Sequence, residues 1–472
     1  MDFKTCKLLD VKARCEKALE DAKALQEKLN AVVTFVDIEE QLEALKDIDE
    51  NALMYGIPIV LKDNVTTKGI KTTASSNILD NYIPIFNATI VDKLKAAGAI
   101  IIAKASMDEL AMGGTNRSSH TGAVHNAYDV NRIAGGSSGG SAVLVASGVV
   151  PFAIGSDTGD SIRKPACYNG VIGVKPTYGR ITRYGVLPYA SSLDHVGYFT
   201  TTTQDACVGL QVLAGRDDRD MTSSYKPVEN YLENLNSDLT GKKIAVLDNI
   251  QELIKDEVIK ANFDNLCNEL VKRGAIVEHV RMNDQLMNAI LPVYYLIANA
   301  EATANHSNLD GIRFGVREDG DSVEEVMINS RTKGLGSYVR KRFVIGSYTL
   351  TAENQEKLFR KAQRVRRLIV EDFMKIINEY DVVLANASSD IAPLANNCQD
   401  RALANDNNIA ENFMVLGNFS GCPSMSLPTG LKDGMPIGVN LHAKLFDEQT
   451  MFNVAKAIEE IVNFKGLEVE GK

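Results

Sequence analysis

An α/β fold is predicted: a single large domain with a central mixed, partly parallel sheet covered by helices on both faces. Three observations carry that expectation. Short apolar runs at 57–61, 99–103, 151–155, 244–247, 275–280, 382–384 and 437–441 have the length and content of strands, several of them buried. Segments of helical character at 8–29, 89–97, 256–272, 353–379 and 448–462 separate or follow them. The two kinds of segment alternate without a fixed repeat period, the pattern of a layered α/β sheet.

Along the chain, 1–50 reads as an N-terminal helical region and 51–465 as the main domain, with 466–472 a charged tail. The polar, turn-rich stretch near 225–241 marks a surface excursion. A length of 472 residues would allow two or three domains. One is expected, because the chemical motifs and the later strands can share one sheet.

Composition narrows the function classes. Apolar residues make up 45% and charged residues 24%, as in a soluble globular protein. A formal net charge of −10 argues against attraction of nucleic acid or anionic membrane, so any RNA would be held by a basic partner. Seven cysteines (Cys6, Cys15, Cys167, Cys207, Cys267, Cys398 and Cys422) are dispersed, which predicts reduced thiols and a cytoplasmic location. The first ten residues lack the apolar core of a signal peptide, and no apolar run reaches the ~20 residues of a membrane span. Six histidines show no metal-ligand spacing, so no metal is expected.

The stretch 113–140, rich in Gly, Ser, Asn, Thr and His, interrupts this ordinary pattern. A flexible linker seldom leads straight into an apolar helix and strand, whereas a long polar loop inside a compact domain is more often functional. Three patches surround it. The run Gly56-Ile-Pro-Ile-Val-Leu-Lys62-Asp63-Asn64 delivers a lysine to the polar end of a strand. The second patch is Gly135-Gly-Ser137-Ser-Gly-Gly-Ser141. The third, Gly155-Ser-Asp157-Thr-Gly159-Asp160-Ser161-Ile-Arg163-Lys-Pro165, precedes Gly173-Val-Lys175-Pro176-Thr177.

A lysine ending an apolar strand differs from a surface lysine, because burial lowers its pKa and favours a neutral amine able to act as a base. Asp63 alternates to the other side of the strand and need not re-protonate it. No lysine follows the glycines near Ser141, which excludes the phosphate-cradling P-loop. Gly136-x-Ser138-x-Gly140 matches a nucleophile elbow, but 129–134 makes a poor preceding strand and no acid–histidine pair stands out.

Taken together, the three patches resemble the amidase signature family. The resemblance implies Ser161 as nucleophile, Ser137 as a bridging serine after a cis peptide, and Lys62 as base. The serine hydroxyl needs a proton acceptor, and Ser137 can accept from Ser161 while donating to Lys62. Backbone N–H groups of Thr158, Gly159 and Asp160 are the expected oxyanion hole, each such donor being worth ~3 kcal/mol in the transition state. Asp160 and Lys164 stand where the family usually has Gly and Gln. A local ion pair between them, directed away from the site, is the expectation.

Further pieces, including Met107-Asp-Glu-Leu-Ala-Met-Gly-Gly114 and Asp310-Gly-Ile-Arg-Phe-Gly315, resemble the branch of glutaminase subunits in tRNA-dependent amidotransferases. That resemblance implies glutamine hydrolysis and transfer of ammonia to a partner, with B-type and C-type subunits and with tRNA held mainly by the partner. It implies no cofactor in this chain, with ATP and Mg used by the partner. Arg342 would hold the glutamine carboxylate, Glu411 would face its amine, and Tyr294 would line the pocket. The alternatives are a stand-alone small-amide amidase and a non-catalytic scaffold within the same complex.

Overall fold

A computed structural model describes residues 1–397 and 412–467. Its frame is one sheet in which eleven described strands run in the spatial order β1-β3-β2-β4-β6-β5-β10-β11-β9-β7-β8. In chain order these are β1 (Val32–Phe35), β2 (Pro58–Lys62), β3 (Ile100–Ala105), β4 (Phe152–Asp157), β5 (Ile172–Lys175), β6 (His195–Thr200), β7 (Lys243–Leu247), β8 (Ile276–Val280), β9 (Val382–Asn386), β10 (Ser424–Lys432) and β11 (Met435–Ala443). The sheet is mixed. β2 runs parallel to both β3 and β4, and β7 runs parallel to β8 and β9, while the strands between them pair antiparallel.

Every residue of β2, β3 and β4 is buried, which their near-continuous apolar sequence requires of strands covered on both faces. Alternate side chains enter different cores. Ile59, Leu61, Ile101 and Ile154 join one cluster, which runs on through Val246, Leu384, Val439 and Leu441. Val60, Ile100, Ile102 and Ala153 face a second cluster, packed under the helices Val11–Leu29 and Gly139–Ala146. Ala245, Leu247, Val383 and Ala385 face a third, covered by Asp284–Asn305, Ser337–Leu350 and Lys361–Glu379. Fully burying one such Val, Leu or Ile side chain is worth about 1.5–3 kcal/mol.

Residues 1–50 contribute more than helices, because β1 pairs antiparallel with β3 and so joins the common sheet. Residues 225–241 carry no helix or strand, but Tyr231 and Leu239 anchor them in the core. The guanidinium of Arg180 ties that excursion down through Lys226 O, Pro227 O and Tyr231 Oη. Among the described residues no helix is long and apolar enough to cross a membrane.

Candidate active site

β2 ends at Lys62, and the chain turn that follows leaves its side chain wholly buried. Its Nζ donates to Ser137 Oγ at 2.8 Å, Ser138 Oγ at 2.7 Å and Ser156 O at 3.2 Å. Burial pushes this ammonium down from 10.5 to about 7, against the opposing pull of Asp108, Asp157 and Asp194. Asp63 lies outside this set. Its carboxylate accepts from Thr73 N at 2.9 Å and sits 3.6 Å from Lys104 Nζ.

The two serines come from a loop that other backbone surrounds closely. The Gly136–Ser137 peptide is cis. A Cβ on Gly136 would lie 2.0 Å from Asp108 Oδ2, and one on Gly140 would lie 2.5 Å from Ser106 O, so this loop tolerates no side chain at either position. Asp108 in turn accepts from Asn116 N at 2.8 Å and Ser118 Oγ at 2.8 Å, and Asn116 Oδ1 accepts from Gly139 N at 2.8 Å. A polar stretch of linker-like composition is thus an internally bonded wall. Ser138, the elbow serine, donates to Ser156 O at 3.0 Å and follows a loop rather than a strand.

β4 leads into the second loop, 158–162. Ser161 is 4% exposed, and its carbonyl accepts Ser138 N–H at 3.1 Å, which clasps the two loops together. Among the described residues no hydrogen bond joins Ser137 Oγ to Ser161 Oγ, and none uses the N–H of Gly159 or Ser161. Thr158 turns its hydroxyl away to Asp194 Oδ1 at 2.7 Å. Burial raises the Asp194 carboxyl above its ordinary value.

Beneath this loop lies a buried charged clamp. Arg163 reaches Asp157 Oδ1 at 2.9 Å, Asp157 Oδ2 at 3.1 Å and Gly159 O at 2.8 Å. Asp157 Oδ2 also accepts Ile162 N–H at 2.9 Å. Burial works to raise the Asp157 carboxyl, yet Arg163 and these donors hold it well below the usual carboxylate range. Asn418 completes the clamp. Its Nδ2 donates to Asp157 Oδ1 and Asp157 O, both at 3.0 Å, and its Oδ1 accepts from Arg163 at 2.7 Å. Sequence reasoning finds Asp157 and Arg163 only as motif letters and misses Asn418, which no local pattern marks.

Above the loop opens a cavity of about 310 Å³ whose lining includes Asp108, Gly159, Asp160, Tyr294, Tyr338 and Arg342. Arg342 is 4% exposed and sits among tyrosines. It donates through Nη1 to Tyr189 Oη at 2.7 Å and through Nη2 to Tyr338 Oη, lies over the rings of Tyr295 and Tyr338, and leaves Nε without a partner. Among the described residues it forms no ion pair with a carboxylate. Tyr294 stands over Gly159, where an added Cβ would meet its ring at 3.0 Å. Glu411 lies outside the described residues. Asp160 and Lys164 part company: Lys164 Nζ donates to Ala387 O at 3.0 Å, whereas Asp160 lines the cavity. The local ion pair expected between them gives way to these separate placements, because Lys164 is drawn into the interior beside β9. Among the described residues no cluster of three or more His, Cys, Asp or Glu is arranged to hold a metal ion.

Comparison with known proteins gives a consistent picture. The family model described as Amidase matches residues 14–452. The glutamyl-tRNA(Gln) amidotransferase A subunit of Lactobacillus delbrueckii subsp. bulgaricus is 41% identical over 445 residues, covering 94% of this chain and 91% of that protein. Its counterpart in Streptococcus sanguinis is 40% identical over 93% of this chain and 91% of its own length. Among solved structures, the glutamyl-tRNA(Gln) amidotransferase A subunit from Thermotoga maritima superposes with a TM-score of 0.82 at 33% identity, over 99% of this chain and 96% of that one. Native peptide amidase from Stenotrophomonas maltophilia gives 0.83 at 25% identity, over 98% and 96%.

Proposed function

The chain belongs to the amidase family, and from that premise we propose that it is the glutamine-hydrolysing subunit of a tRNA-dependent amidotransferase. Ser161 is the nucleophile, and Lys62 takes its proton through Ser137. The observation that carries this reading is the contact of 2.8 Å between a fully buried Lys62 ammonium nitrogen and Ser137 Oγ. With a pKa brought down to about 7, a large share of Lys62 is neutral at neutral pH and able to accept a proton.

The chemistry follows in two steps. Ser161 Oγ attacks the side-chain amide carbon of glutamine as its proton passes to Ser137 and the Ser137 proton passes to Lys62. The negative charge forming on the carbonyl oxygen is met by backbone N–H groups of Thr158, Gly159, Asp160 and Ser161. The C–N bond then breaks, the relay returns one proton to the leaving nitrogen, and ammonia departs. Water attacks the resulting ester by the same relay and releases glutamate. The Ser137–Ser161 link closes when substrate orders the loop, because catalytic hydrogen bonds in unliganded sites are often long and tighten in the complex.

Arg342 holds the α-carboxylate of glutamine. A buried guanidinium bonded to tyrosine hydroxyls, and paired with no carboxylate among the described residues, is suited to a carboxylate, which offers it a forked partner. Tyr294 packs over the loop and shields the reacting carbon from water. The ammonia passes to a B-type subunit, which with a C-type subunit completes the complex, holds the tRNA and uses ATP and Mg.

Purified chain, with and without co-expressed partner subunits, is assayed for glutamate release. Ser161→Ala is expected to lose at least about 1000-fold in turnover, whereas Ser138→Ala keeps it within about tenfold, a loss of one hydrogen bond to Lys62. Equal loss in both variants, or hydrolysis of simple aliphatic amides with glutamine left intact, refutes this assignment.

A further inference from the structure

Two adjacent acids in one short segment serve different walls of the site. Asp108 braces the loop of Ser137. Its oxygens take Asn116 N–H and Ser118 Oγ–H, each at 2.8 Å, and its own N–H donates to Ser137 O at 3.2 Å. Glu109, 3% exposed, turns instead toward a segment 227 residues away. Its Oε1 accepts from Ser76 Oγ at 2.6 Å, and Gly336 N donates to Oε1 at 3.1 Å and to Oε2 at 3.0 Å. Gly336 opens the helix Ser337–Leu350 and has no side chain with which to cap it.

A buried carboxylate is costly unless donors meet it. Burial raises Glu109 above its ordinary value, against the opposing pull of Ser76, Gly336 and Arg340. The helix start suits such a group, because its N–H groups lack partners within the helix and it is the positive end of the helix dipole. The fit is close: a Cβ on Gly336 would lie 2.3 Å from Glu109 Oε2. Behind Glu109 the backbone is strained, with Leu110 and Ala111 at φ of 51° and 61°, and the neighbouring Ala74 and Ser75 at 46° and 53°. These two pairs brace each other, Leu110 N donating to Ala74 O at 2.9 Å and Met107 N to Ser75 Oγ at 3.1 Å. Such backbone persists only where its surroundings over-determine it, so Glu109 projects from a fixed base. The first two turns of the helix it caps carry Tyr338 and Arg342, bonded to each other.

We propose that Glu109 is a positioning residue for Arg342, fixing the start of the Arg342 helix to the segment that also braces the Ser137 loop. The inference rests on the reading of Arg342 as the group that holds the glutamine carboxylate. Glu109 does not belong to the described lining of the cavity, so it acts through the helix and not on the substrate. Without its carboxylate the helix start is free to shift, and Tyr338 and Arg342 shift with it. Asp108 keeps its own bonds to the serine loop. The effect therefore falls on KM for glutamine more than on kcat.

The test is a double-mutant cycle in glutaminase kinetics, using the chain complexed with its partner subunits. Glu109→Ala is expected to raise KM for glutamine about tenfold, with kcat within about threefold of wild type. Glu109→Gln keeps an acceptor for Gly336 N–H and should recover most of that loss. In the Arg342→Lys background, where the carboxylate is already poorly held, Glu109→Ala should raise KM by less than about threefold more, because the two residues act as one unit. Gly336→Ala, whose methyl group displaces Glu109 Oε2, reaches the same KM increase by a second route should Glu109→Ala be misfolded. A KM change below about twofold in both Glu109→Ala and Gly336→Ala, a loss carried by kcat instead, or full additivity with Arg342→Lys overturns the inference and leaves the glutaminase reading standing. An unchanged KM in Arg342→Lys overturns the role of Arg342 and this inference together.

Discussion

Truncating Asn418 probes how much of the reaction depends on holding the nucleophile loop still. Asn418→Ala removes five contacts of a fully buried side chain. Two reach charged groups, Asp157 Oδ1 at 3.0 Å and Arg163 Nη2 at 2.7 Å, two reach carbonyls, Asp157 O at 3.0 Å and Leu193 O at 3.2 Å, and the longest reaches His195 Nδ1 at 3.5 Å. Neither charge is stranded, because Arg163 still meets Asp157 directly at 2.9 Å and Gly159 O at 2.8 Å. The stability loss is therefore about 2–4 kcal/mol, below a simple sum of five hydrogen bonds. The rate effect comes from the loop. Gly159 and Ile162 are both bonded to this clamp, so loosening it displaces the oxyanion donors and Ser161 together. A misplacement of this kind costs about 100-fold, or ~2.7 kcal/mol of barrier. Asn418 does not line the cavity, so KM for glutamine should change by less than about threefold. Asn418→Asp is expected to be worse than Asn418→Ala, since a carboxylate would replace donors facing Asp157 Oδ1 and two carbonyls. Steady-state glutaminase kinetics and thermal melting of both variants decide the matter. An alanine variant with kcat within about twofold of wild type, or an aspartate variant more active than alanine, would show that the clamp does not position the loop.

Three further outcomes are expected. With Lys62 brought down to about 7 by burial and its neutral form acting as base, kcat/KM should rise as pH increases through about 7 and level off above it. A profile that is flat from pH 5 to 9, or that falls across this range, contradicts the relay. Arg342→Lys should raise KM for glutamine about tenfold or more while altering kcat less, because a lysine cannot reproduce the forked contact within the tyrosine cage; an unchanged KM removes Arg342 from the substrate. Asp205 accepts Phe3 N–H at 3.0 Å and is pushed up from 3.8 to about 6 by burial. A carboxyl that binds its proton more tightly when folded costs stability above about 6 and recovers it as pH falls below that value. Asp205→Asn should thus stabilise the chain at pH 8 by up to about 3 kcal/mol, with the gain fading toward pH 4 in paired denaturant titrations. A gain independent of pH would point to packing instead.

What could be read in the sequence, and what could not, divides along a physical line. β2, β3, β4, β7 and β9 announce themselves because strands covered on both faces must be apolar at nearly every position. β5 (Ile-Gly-Val-Lys) and β6 (His-Val-Gly-Tyr-Phe-Thr) do not, because each surrenders a position to glycine where another chain segment comes close. A Cβ on Gly173 would lie 2.6 Å from the Ala166 side chain, and one on Gly197 would lie 2.0 Å from Val174 O. The same division separates the proposed reacting groups from their setting. Lys62, Ser137 and Ser161 sit at a strand end and in two Gly-rich loops, where short spacing and unusual composition betray them. The groups around them arrive from afar: Asn418 meets Asp157 across 261 residues, and Arg342 meets Tyr189 across 153. Nothing in the neighbourhood of an asparagine in Val-Leu-Gly-Asn-Phe-Ser indicates that it will be wholly buried against an aspartate and an arginine. Asp160 shows the reverse error, in which a neighbour four residues away is the natural partner to assume. Lys164 instead runs inward to Ala387 O, and Asp160 lines the cavity. Local sequence thus marks the groups proposed to react, whereas their setting comes from side chains that only the folded chain brings together. That is why Arg342, rather than the serines, is the residue whose substitution should change how glutamine is held.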